Sequence, residues 1–135
     1  RAENDPDANF VYAQMTRHCP EIDLTGLMET LKSRARLTRL WRSFLADWPL
    51  VLCPVSGELP FTDQRDVASE ADFDAVQQAQ MPLIATPFMG LPGLTVTTGR
   101  HGTAPVGVQL IADQFREDLL LAAGEHLSPH PIPAL

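Results

Sequence analysis

An α/β fold follows from three observations. Two short runs, Gly93–Thr98 and Val106–Ile111, alternate apolar and polar residues at the two-residue period of a strand. The link between them, Gly99 to Pro105, is short and rich in turn residues, which makes the pair an antiparallel hairpin. Elsewhere apolar residues recur at helical spacing, most clearly from Leu27 to Leu45 and from Phe115 to Leu127. The expected architecture is a mixed β-sheet that contains the hairpin and is covered by helices. The chain has 135 residues, 44% hydrophobic and 20% charged, which is one ordinary globular domain, 1–135, at most.

Each element has a local reason. Asp7 can cap a first helix over about 7–18, which Cys19-Pro20 stops. A longer helix over about 25–47 carries Leu27, Leu31, Leu37, Leu40, Trp41, Phe44 and Leu45, and Trp48-Pro49 ends it. Leu50 to Cys53 reads as a short buried strand closed by Pro54. Ser56 to Arg65 has no period and reads as loop. A helix over about 72–81 follows, with acids at its N-terminal end where the helix dipole favours them, and Pro82 closes it. Leu83 to Met89 is either a further helical turn or an extended segment. Strands over about 93–98 and 106–111 form the hairpin. Asp113 can cap a last helix over about 114–127, with Phe115, Leu119, Ala122, Ala123 and Leu127 facing inward. Ser128 to Pro133, with three prolines, reads as an extended tail.

Charge narrows the function classes. A formal net charge of -7 argues against nucleic acid as a partner, since phosphate binding needs a basic face. Lys32, Arg34, Arg36, Arg39 and Arg42 do cluster; they read as a solvated helix face or as an anion patch. No run approaches the roughly 18 apolar residues of a membrane span. The start, RAENDPDANF, is polar, acidic and lacks an initiator Met, so the chain is read as a piece of something longer. Two cysteines, Cys19 and Cys53, do not make a disulfide framework, and a reducing cytoplasm is the expected setting. Cys53, in an apolar run, behaves as a small hydrophobe.

The order of motifs resembles the C-terminal end of the amidase signature family, hydrolases with a Ser–Ser–Lys triad. The matching order runs from Leu37 to Leu127. It comprises a Trp-bearing helix and a strand ending in Pro (Trp41 to Pro54), then Gly90-Leu91-Pro92. Pro105-Val106-Gly107-Val108-Gln109 comes next, followed by an aromatic, an acidic pair and a Leu-rich helix (Phe115 to Leu121). One departure stands out: many members place an Asn shortly before Gly-Leu-Pro, where this chain has Thr86-Pro87-Phe88-Met89.

The resemblance implies a fragment of the amidase signature fold. It also implies a parent enzyme that hydrolyses a carboxamide to carboxylate and ammonia without metal or organic cofactor. By the same resemblance Pro87, Phe88 and Met89 line a pocket for an apolar or aromatic acyl group; the alternative for these three is core packing. Gln109 is either a structural hydrogen bonder or a substrate contact. No catalytic residue carries over. The chain has no Ser-Ser pair and no Gly-Ser-rich loop, and its single lysine, Lys32, lies among arginines and is expected to be protonated and exposed.

Other chemistries find no support. His126 and His130 are four apart, but Pro129 breaks the helix that would align them for a metal. Asp63, Asp66, Glu70, Asp72 and Asp74 lack calcium-loop spacing and read as a solvated run. The expected partners are a small-molecule amide, bound only by the complete enzyme, and either the missing N-terminal part or a second copy of the chain. A non-catalytic binding or assembly module of the same architecture is the alternative reading.

Overall fold

The computed structural model describes residues 5–127; the expected Pro-rich tail lies outside them, as does His130. Its helices and strands follow in the order α1 (Pro6–Arg17), α2 (Leu24–Asp47), β1 (Val51–Pro54), α3 (Arg65–Ala68), α4 (Glu70–Ala79), α5 (Met81–Met89), β2 (Gly93–His101), β3 (Ala104–Ile111) and α6 (Glu117–Leu127).

The strands form one sheet in the order β1-β3-β2. Both neighbours of β3 run antiparallel to it, with Val51 and Gly93 each opposite Ile111. The expected mixed sheet is therefore antiparallel throughout the described residues. β1 and β2 do point the same way, but β3 lies between them, so they never pair. The hairpin is longer than its alternating core: pairing continues to His101 and Ala104, and Gly102 and Thr103 alone make the turn. Gly102 takes φ +60°, as a two-residue hairpin turn with a positive first position requires. Between Thr97 and Gly99 the register slips by one residue, a bulge at Thr98.

Alternation sorts the strand residues onto two faces. On one, Val96 and Leu110 pack with Ala112 and Leu120, joined by Leu50, Leu94 and Ala123. This face belongs to α6. On the other, Ile111 packs with Leu45, Met89 and Leu91, joined by Leu37, Trp41, Val51 and Cys53. This face belongs to α2 and α5. Burying each large apolar side chain contributes about 1.5–3 kcal/mol, so these two clusters hold the sheet between helices.

Several local expectations change. Asp5, not Asp7, caps α1, accepting hydrogen bonds from the Asp7 and Ala8 amides, because Pro6 then takes the first helical position, where its missing N–H costs nothing. Pro82 does not close a helix but sits in the first turn of α5, for the same reason, and Leu83 to Met89 is helical. Ser69 caps α4 through the Asp72 amide, and Phe73, Val76 and Ala79 form its buried side. Arg65–Ala68 is a single helical turn next to residues read as loop.

The last helix starts at Glu117 rather than next to Asp113. Of the expected stripe, Ala123 packs inward beside Leu120 and Gly124 and Leu119 is half-buried, whereas Phe115, Ala122 and Leu127 are exposed. Phe115 precedes the helix at φ +63° and is 88% exposed. Its left-handed backbone turns the chain from β3 into α6, and the ring is carried outward. Only part of the α2 stripe, all of it in the C-terminal half, is covered. Leu37, Trp41 and Leu45 reach the core, while Leu27, Leu31, Leu40 and Phe44 are exposed.

Candidate functional site

The residues expected to line an acyl pocket separate on α5. Met89 is buried in the core with Leu45 and Ile111. Pro87 and Phe88 are exposed. None of the three borders the grooves lined by Phe73, by Thr95 and Thr97, or by Trp41. Gly90 ends the helix in a left-handed conformation, its amide donating to the Pro87 and Thr86 carbonyls. That cap turns the chain into β2; Met89 faces inward with Thr86, one helical turn before it, while Pro87 and Phe88 face out.

The largest of these grooves lies on the α2/α5 face of the sheet, beyond the end of the helical cover. Its volume is about 680 Å³, within the range of small-molecule sites. Thr95, Thr97 and Gly107 form its floor. One wall is the loop after β1, with Val55, Leu59, Pro60 and Phe61; the other is Gln80 and Leu83 at the start of α5. The Gly57 amide donates to the Ala79 carbonyl at 2.7 Å, which fixes the loop against the end of α4.

Gly107 keeps the floor flat. A Cβ there would collide with the Val96 carbonyl oxygen of the neighbouring strand. Neither threonine hydroxyl has a partner among the described residues. The one charged lining residue, Glu58, is neutralised by Arg65 at 2.7 Å.

Gln109 sits next to this floor, on the same face and directly opposite Thr95 and Cys53. It is 4% exposed. Its Nε2 leans over Gly93, 2.9 Å from where a Cβ would be, and its Oε1 has no partner among the described residues. Cys53, beside it, is half-buried, and burial pushes its thiol pKa up, which leaves it a poor nucleophile.

A second cluster joins α1 to α4. Asp74 accepts from His18 Nε2 at 2.8 Å and from Arg17 at 2.7 Å, and Arg17 also reaches Glu70 at 3.8 Å. The His18 hydrogen bond, with help from Arg17, holds the Asp74 carboxyl below the usual carboxylate range. The imidazole also stacks on Phe73. Asp72 both braces the α4 cap and approaches Arg65. The acidic run is therefore not merely solvated: Glu70, Asp72 and Asp74 bind cations that fasten α1 and α3.

The remaining charges explain themselves. Lys32 is exposed and paired with Glu29 at 2.6 Å. Arg42 reaches from α2 to Asp113, just after β3. Arg34, Arg36 and Arg39 have no ion pair among the described residues. No group of three or more His, Cys, Asp or Glu able to hold a metal occurs among the described residues. No described helix is long and apolar enough to cross a membrane.

The groove escapes the sequence reading. Its floor is visible as the alternation of Thr95 and Thr97 and as Gly107, but its walls come from distant parts of the chain. The one available signal is two threonines on the face where a buried strand would carry Val or Ile.

Comparison with known proteins brings the family into view. Over 119 residues the chain is 36% identical to an indoleacetamide hydrolase of Bradyrhizobium japonicum, covering 87% of this chain and 25% of that protein. Over 104 residues it is 34% identical to an indoleacetamide hydrolase of Bradyrhizobium diazoefficiens, covering 76% of this chain and 20% of that protein. It is also 29% identical over 98 residues to a subunit of the glutamyl-tRNA(Gln) amidotransferase of Lachnospira eligens, covering 72% of this chain and 20% of that one. The chain thus spans about a quarter or less of the relatives it matches. No family model matches it.

Proposed function

We propose a function from one premise: the chain belongs to the amidase signature family, as a C-terminal portion of a member. The parent hydrolyses a carboxamide to a carboxylate and ammonia. An aryl acetamide is the preferred substrate class, because two of the relatives are named for indoleacetamide.

The similarity to the indoleacetamide hydrolases carries this reading. The nucleophile, base and oxyanion hole lie in the part of the parent outside this chain, which has no Ser-Ser pair. The three-stranded sheet is one corner of the parent's larger mixed sheet. α5 borders the acyl side of the substrate, with Pro87 and Phe88 facing it and Met89 supporting them from the core. A reducing cytoplasm, where Cys19 and Cys53 stay as free thiols, is the proposed setting.

Ammonia release from indoleacetamide tests the reading. The chain should be inactive alone and support turnover when combined with the remaining portion of its parent. No ammonia from any carboxamide by the combined protein would overturn it and favour the non-catalytic module.

A further inference from the structure

We draw no further inference here: the strongest candidate, the exposed apolar stripe of Leu24, Leu27, Met28 and Leu31 along the N-terminal half of α2, lies in a chain that spans about a quarter or less of the relatives it matches, and nothing in the structure shows what covers it.

Discussion

The sheet and α1 are fastened by different physics. The sheet, with α2, α5 and α6, rests on two clusters of buried apolar side chains. α1 buries one residue, Gln14, whose Oε1 is itself unpartnered among the described residues. It is tied to α4 by the His18–Asp74–Arg17 contacts and by Phe10 lying edge-on to Phe73. Apolar burial is insensitive to pH and carries no charge for salt to screen, whereas exposed ion pairs are weak and screened. One body of the molecule should therefore unfold as a unit while the other loosens first.

Substitutions sharpen or break that contrast. Leu45→Ala, in the cluster with Met89 and Ile111, should cost about 3–4 kcal/mol in denaturant unfolding. A loss under about 1 kcal/mol would mean the core is not where the structure puts it. Gly107→Ala should cost about 2–3 kcal/mol, because its methyl meets the Val96 carbonyl and the hairpin must shift. A neutral result would show that the strands can part there without loss.

Asp5→Ala removes the α1 cap and should cost about 1 kcal/mol of helix stability. Amide exchange should report it in α1 alone; equal loss of protection in the sheet would mean that the two bodies are one.

The smallest effect is expected at Asp74. Asp74→Asn should speed exchange in α1 and leave the denaturant midpoint of the sheet in place. The same contact has a defined pH dependence. Folding lowers the Asp74 pKa below that of a free aspartate, so its contribution is complete above the free-aspartate value. It is lost as the pH falls through the lower folded value. Exchange in α1 that stays constant down to strongly acid pH would remove Asp74 from the account, and high salt should mimic the acid effect.

The same contrast separates what can be read from the sequence. The hairpin and the second half of α2 are legible because burial repeats with the period of the element, as in Leu94, Val96 and Leu110. The β1 run is a strand as expected, but it includes Pro54 and is not a buried one, since Leu52 is 59% exposed. Where the signal is a single residue, its neighbours decide the outcome. Pro82 starts α5 rather than ending α4, and Asp5 outcompetes Asp7 as a cap because Pro6 follows it.

The exposed Phe115 shows the limit of periodicity: an aromatic in phase with a helix can still precede it. The Arg17–Asp74 pair spans 57 positions, and no local pattern announces it. The expectation for Pro87, Phe88 and Met89 treats them as one segment, whereas the helical phase of α5 decides which of their side chains face out. The groove needs tertiary placement of the loop after β1 over Gly107, which a one-dimensional reading does not contain.

The order of the strands also has a consequence in time. β2 and β3 are joined by two residues, so their pairing can begin within microseconds. β1 must wait: Pro54 meets Val108 only after the intervening chain of α3, α4, α5 and β2 has closed into a loop. Such long closures slow folding even when they add little to final stability. The hairpin should therefore form first and serve as the template on which β1 docks. A Gly102→Val change at the turn would then slow folding, while Leu52→Thr on β1 would mainly quicken unfolding, and stopped-flow rates showing the reverse would refute that order. Until β1 arrives, the free edge of β3 is open to any strand that passes.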